Sequence, residues 1–479
     1  MRASTRRCPS RRALTAHDDG QQKNPAQKKS TNNRTDLDLG TRVATKHIRD
    51  VSGPSGLAAF AHEHVGGSKP LLIDGALDDW PAYGGGGEAG DAGRQWTPAN
   101  LLRREGDALV TLTVTPDGRA DAVRALDDGK GEHFVLPHEE RVPLRRFLRP
   151  DGRLAHEGGG GDGDGDGDGA KEGGAPARRE PPPAQVRYLS SQNGCLAAEL
   201  PRLLPDLLSP DEAEVEEEQE QAGDGAEGDD ANVAKNGLTA RERRAAGGPA
   251  WARAALSSGG RPAEAVNVWI GCRRSETSVH RDPYENLFAV LRGSKTFTLL
   301  PPHESFRLGL EPFPAARWRP DGRGGLVAVP EGPPPGRRVL WTALDPSSRE
   351  GGAELQQQRA RYPLFFGGGG GGAGAAPRLP PPIRVTVRAG QMLYLPAFWF
   401  HHVTQRGPPG GEEDDGGGGG GRCCISVNWW FETRFGGNYA LARFAERLAA
   451  RAGLVRPLRS LGGDEEDEDD EDEDDEDDN

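Results

Sequence analysis

TSVHRDPYENLFAVLRGSKTFTLLP, residues 277–301, decides how this chain is read. Residues two apart on a β-strand share a face, so His280 and Asp282 are expected to point the same way, together with Ser278. Pro283 has no N–H to give to a ladder, so the strand is expected to end at Asp282, where a barrel would open. After the turn RGSK, Lys295 shares its strand face with Phe297 and Leu299, which sets an amine among inward-facing apolar residues.

A lone His-x-Asp is weak evidence for a metal site. The reading strengthens with YLPAFWFHHV (394–403), a second aromatic strand that carries His401 and His402. Neighbouring strand residues face opposite sides, so only one of these histidines can join His280 and Asp282. Two imidazoles and one carboxylate leave open positions on an octahedral iron, the arrangement of non-haem Fe(II) oxygenases. Zinc with three protein ligands is the competing reading. A co-substrate pocket separates the two, because 2-oxoglutarate chelates iron at one end and presents a carboxylate at the other. That carboxylate wants a buried cation, for which Lys295 is the candidate, and hydroxyl or amide donors, for which Thr277, Asn286, Tyr188 and Asn428 are candidates.

QVRYLSS, AVNVWIG, PIRVTVRAGQMLYLPAFWFHHV and CCISVNWWF supply further strand-like runs separated by turn signals. Short strands with few helices predict a mainly β chain: an antiparallel double-sheet barrel, the double-stranded β-helix of jelly rolls and cupins. The expected organisation is a polar N-terminus (1–45), an N-terminal α/β extension (46–152), a Gly/Asp/Pro-rich linker (153–184) and a catalytic barrel (185–435). Low-complexity insertions near 210–248, 367–376 and 407–421 interrupt the barrel, and a helix (436–456) and an acidic tail (457–479) follow it. Insertions at loop tips cost a fold little.

Composition agrees that much of the chain is spacer: of 479 residues 69 are glycine, and only 34% are hydrophobic. The net charge of −14 belongs to the tail, where residues 464–478 are all Asp or Glu; without those fifteen charges the remainder stands at about +1. A general nucleic-acid surface is therefore not indicated. Five cysteines without CxxC spacing fit a reducing compartment, cytoplasmic or nuclear. The N-terminus MRASTRRCPSRRALTAH is Arg- and Ser-rich without an early acid, a composition shared by disordered tails and organelle transit peptides. No apolar run approaches the roughly 20 residues of a membrane span. The alternating Asp-Gly run at 162–168 is not an EF-hand, since its twelfth position is Gly173.

HRD (280–282), Lys295, YLPAFWFHH and SVNWWF resemble the jumonji-C oxygenases, a branch of the cupin fold. The segments VTPDGRADAV (114–123), FVLPHEERVPL, ELPRLLPDL, HRDPYENLFAVLRGSKTF and VTVRAGQMLYLPAFWFHHV look like those of its lysyl-hydroxylase members, which are also described as peptidases. The resemblance implies that His280, Asp282 and His401 hold Fe(II), with His402 outside the shell. It implies that Lys295, helped by Thr277, pairs with the distal carboxylate of 2-oxoglutarate, that Tyr188, Asn286 and Asn428 line that pocket, and that Trp269 and Trp430 wall it. The implied activity uses O2 and 2-oxoglutarate to hydroxylate a protein, at C3 of a lysyl residue in a translation-associated, developmentally regulated GTP-binding protein. The apolar spacing of the C-terminal helix suits packing against the barrel or against a second subunit as a homodimer. Histone demethylation and tRNA-base hydroxylation are the related alternatives; a catalytically silent cupin binding module and a zinc hydrolase are those of other classes. The peptidase description finds no Ser/His/Asp, Cys/His or HExxH constellation behind it.

Overall fold

The computed structural model describes residues 42–85, 91–126, 131–155, 185–192, 194–212, 237–332, 336–347, 352–367, 379–409 and 422–453. The acidic tail, Cys8, most of the 153–184 linker and the greater part of the three insertions lie outside these residues.

In chain order the first strands are β1 Ala44–His47, β2 Leu71–Asp74, β3 Leu109–Thr115, β4 Arg119–Ala120, β5 Ala122–Ala125, β6 Glu132–Leu136, β7 His138–Pro143 and β8 Val186–Tyr188. There follow β9 Ala265–Gly271, β10 Glu276–His280, β11 Tyr284–Arg292, β12 Ser294–Leu300, β13 Glu311–Pro320, β14 Leu326–Pro330 and β15 Arg338–Trp341. The last are β16 Ile383–Arg388, β17 Met392–Leu395, β18 Phe400–Arg406 and β19 Cys424–Glu432.

Six strands form the larger sheet, in the order β1-β2-β17-β11-β19-β9, and five form the smaller, β16-β12-β18-β10-β4. The two close on each other as a jelly roll, and their inner faces share one cluster that includes Tyr188, Trp269, Phe288, Phe297, Leu299, Leu393, Trp399 and Val403. β12 alternates as its sequence predicts: Lys295, Phe297 and Leu299 are buried, while Ser294, Thr296 and Thr298 are half-buried on the other face. β11 and β19 sit mid-sheet and are buried on both sides. Their outer residues, Leu287, Ala289, Val427, Trp429 and Phe431, pack on a second core with Phe60, Leu101 and Leu204 from helical segments and neighbouring turns. Each fully buried side chain of this size contributes about 2 kcal/mol by leaving water.

The β11–β12 turn needs its glycine. Gly293 has φ +78°, and a Cβ there would come within 2.3 Å of the Arg406 carbonyl oxygen.

Two local findings differ from the sequence expectation. β10 ends at His280 rather than Asp282, and its pairing with β18 shifts between Thr277 (opposite Val403) and His280 (opposite His401). That bulge puts Thr277 and His280 on one face although they are an odd number of residues apart, and it separates Ser278 from His280. The second lies in the 210–248 segment, where a helix spans Ala240–Ala246 behind a capping box of Thr239 and Glu242. The indole of Trp429 anchors this helix, donating to the Ala245 carbonyl at 2.9 Å.

Candidate metal centre and co-substrate pocket

The barrel mouth gathers His280 from the end of β10, Asp282 from the residues after it and His401 from β18. One ligand atom from each lies within 4.8 Å of the others. Asp282 Oδ2 is 3.7 Å from His280 Nε2 and 3.6 Å from His401 Nε2, and the imidazole centroids are 4.1 Å apart.

Backbone carbonyls set the tautomers. His280 Nδ1 is 2.9 Å from the Ser278 carbonyl, and His401 Nδ1 is 2.9 Å from the Trp399 carbonyl. A carbonyl can only accept, so each Nδ1 carries the proton and each Nε2 offers its lone pair toward Asp282. Burial, with the charge of His280 next, pulls the His401 pKa down to about 4, which keeps it neutral and fit to ligate. The donor set therefore fits one divalent cation with open positions.

Asp282 is tied down through its main chain, its carbonyl accepting from Phe398 N–H at 2.8 Å. Phe398 itself stands at φ +66°, a strained conformation for a bulky residue of the kind that gathers at functional sites.

His402 points the other way, with Nε2 2.7 Å from Glu276 Oε1. Glu276, Asp345 and His402 form a second group of metal-ligand type. There Arg119 pairs with Asp345 at 2.7 Å, and the Ser347 hydroxyl stands between the carboxylates, its Oγ 2.8 Å from Glu276 Oε1 and 2.7 Å from Asp345 Oδ1. Both carboxylates there have partners within the chain.

Further into the barrel, Lys295 is 2% exposed. Its Nζ lies 5.3 Å from the ring centroid of Tyr188, 5.4 Å from Trp269 and 5.2 Å from Phe288, and donates to the Tyr188 hydroxyl at 2.7 Å. Burial pulls the ammonium pKa down to about 8 and pushes the Tyr188 phenol far up, with Gln405 and Thr277 hydrogen-bonding to it. Trp269 Nε1 donates to Asn428 Oδ1 at 2.7 Å, and Asn428 Nδ2 to Asn286 Oδ1 at 3.0 Å. Trp430 stacks on Tyr284 with centroids 4.9 Å apart.

Contacts thus join Lys295 to Tyr188 and Trp269 and Trp269 through Asn428 to Asn286, while Trp430 is placed against Tyr284. The fold adds three that were passed over. Gln405 shares the inner face of β18 with His401, and Ser426 that of β19 with Asn428; Gln405 Oε1, Ser426 Oγ and Trp430 Nε1 are buried without a partner. Buried polar atoms of this kind call for a polar ligand. The third, Trp341, stands beside His280 with centroids 6.5 Å apart. The two-residue alternation of β18 and β19 carried a signal for the first two; nothing local pointed to Trp341.

Among the described residues no helix is long and apolar enough to cross a membrane. The cupin-like domain family matches residues 57–437. Lysine-specific demethylase JMJ32 of Arabidopsis thaliana is 32% identical over 435 residues, covering 90% of this chain and 93% of the relative. Bifunctional peptidase and (3S)-lysyl hydroxylase JMJD7 of Homo sapiens is 29% identical over 396 residues, 82% of this chain and 87% of that protein. JmjC domain-containing protein E of Dictyostelium discoideum is 26% identical over 408 residues, 83% of this chain and 88% of that protein. With a cupin barrel whose mouth presents two imidazoles and a carboxylate above a buried lysine, the chain belongs to the cupin-like domain family, in its jumonji-C branch of 2-oxoglutarate oxygenases.

Proposed function

We propose that the protein is an Fe(II)- and 2-oxoglutarate-dependent hydroxylase of a protein side chain, lysyl at C3, with a translation-associated GTP-binding protein as its substrate in the cytoplasm or nucleus. The observation that carries this reading is the convergence, on one inner barrel face, of the His280/Asp282/His401 group with the caged ammonium of Lys295. A zinc hydrolase does not require such a cation, whereas 2-oxoglutarate brings a distal carboxylate for it to meet. The substrate class rests on likeness to the human lysyl hydroxylase.

His280, Asp282 and His401 would hold the iron, which with 2-oxoglutarate and O2 supplies the oxidising power to place one oxygen atom in a C–H bond as 2-oxoglutarate leaves as succinate and CO2. The chain's own part is positioning. Ser278 and Trp399 hold the imidazole tautomers through their carbonyls. Lys295 would meet the distal carboxylate with Tyr188 and Thr277 beside it, while Asn286 and Asn428 brace each other along the wall. Trp269 and Phe288, packed around the Lys295 ammonium, would keep water from the site, with Trp430 as the outer wall.

Anaerobic titration with Fe(II) and 2-oxoglutarate tests the metal and pocket: a weak visible charge-transfer band should form in the wild type, and iron binding without the band would refute the reading. Mass spectrometry of a turned-over lysyl peptide should then show one added oxygen. The name of the Arabidopsis relative supports demethylation as a second reading, which would instead release formaldehyde from a methylated lysine.

The C-terminal helix Gly437–Arg451 exposes Leu441, Phe444 and Leu448 along one side, next to Phe435. We propose that this stripe pairs with a second copy of the chain, because large apolar residues at this spacing make a self-complementary seam.

A further inference from the structure

The outer face of the smaller sheet carries cations without anions. Ser294 of β12 stands opposite Arg388 of β16 and Arg406 of β18, and residues directly opposite across a ladder share a face. Two rows further along the same face, Thr298 stands opposite Arg384. Strands about 4.8 Å apart set the Arg388 and Arg406 backbones about 10 Å from each other. All three arginines are exposed, and β12, β16 and β18 contain no Asp or Glu.

Two more arginines extend this patch around the end of the barrel. A Cβ on Gly407 would stand 3.0 Å from Arg422 Cβ, and one on Gly152 would stand 3.9 Å from both Arg422 Cβ and Arg292 Nη2. Arg422 is exposed, and Arg292 Nε is buried without a partner. Among the described residues none of these five guanidiniums meets a carboxylate, whereas Arg119, Arg281, Arg317 and Arg361 each do. Unbalanced positive charge gathered on one face repels itself and attracts a polyanion. The patch is remote from the metal centre: Ser294 is five positions along β12 from Leu299, which stands opposite His401, a distance of about 17 Å.

A polyanion of matching character lies in the chain itself. Residues 464–478 are fifteen consecutive Asp or Glu, and the run begins eleven residues past Gly453. A tether of that length spans up to about 35 Å and presents the run to the body at roughly millimolar effective concentration. We infer that the acidic run 464–478 docks in cis on the arginine face formed by β16, β12 and β18. This docking is independent of the reaction at the metal.

The test digests full-length protein with glutamyl endopeptidase under native conditions and follows cleavage within 464–478 by intact mass, with a free peptide of residues 464–479 as reference. At about 20 mM salt the run in wild type should be cut about tenfold more slowly than the free peptide, because cleavage tracks the undocked population. At about 0.5 M salt, where screening shortens to a few ångströms, the two rates should converge. Arg388→Gln/Arg406→Gln/Arg422→Gln, which keeps the aliphatic stems, should abolish the protection at low salt while circular dichroism stays native. Each single substitution should speed cleavage about two- to threefold, and these decide the matter if the triple variant does not fold. Equal rates for wild type and free peptide at low salt would overturn the inference, leaving the face empty or held by the acids at 412–415. Protection undiminished in the arginine variants would overturn it as well, placing the run on another surface.

Discussion

Lys295 donates to the Tyr188 hydroxyl across 2.7 Å in a barrel interior where burial holds its pKa at about 8 against an ordinary 10.5. Between about pH 8 and 10.5 the unfolded chain binds a proton at this position that the folded chain lacks, so stability should rise with pH across that window. The gain is of the order of 2–3 kcal/mol. Lys295→Met should lose this rise in urea melts at pH 7.5 and 10, remain as stable as wild type near neutrality, and weaken 2-oxoglutarate binding about 10- to 100-fold. A stability difference between the two proteins that does not change with pH would disprove the burial argument.

Gly271 holds the pocket open. A Cβ there would stand 2.2 Å from Gln405 Nε2 and 2.7 Å from Tyr188 Cδ2. Gly271→Ala should displace both side chains and cost about 1–3 kcal/mol of stability. Calorimetry should find 2-oxoglutarate affinity lowered and Mn(II) affinity kept within a few-fold.

The adjacent histidines should part company. His401→Ala and Asp282→Ala each remove a proposed ligand from a mouth held by its own backbone. Both should lose more than about 100-fold in Mn(II) affinity while circular dichroism stays native. His402→Ala breaks only the contact with Glu276, costing about 1–3 kcal/mol of stability and leaving metal affinity within a few-fold. Metal loss in His402→Ala alone would reverse the assignment.

On the C-terminal helix, Phe444 is 63% exposed between Leu441 and Leu448. Phe444→Glu should turn a dimer into a monomer in sedimentation equilibrium. An identical mass for both proteins would remove the proposed seam. The helix also reaches the metal centre's back, where Glu446 pairs with Arg281, so the amides near Arg281 should exchange faster in Glu446→Ala.

Local sequence was enough for the alternating strands and most of the pocket. His280, Asp282, the His401/His402 pair and Lys295 could be read because strand period and side-chain chemistry are properties of neighbouring residues. Gly293 announced its turn for the same reason, being a residue for which φ +78° is unstrained.

Other features exist only once distant strands pair. The bulge between Thr277 and His280 is a property of the β10–β18 register, and no local pattern in TSVHRD contains it. His401 and His402 have identical chemistry; only the sheet decides that one meets Asp282 and the other Glu276. Gln405 and Ser426 are ordinary polar residues in the chain. They become informative where folding buries them on the strand faces of His401 and Asn428 with an oxygen left without a partner, because an unpaired polar group is cheap in water and costly inside a protein.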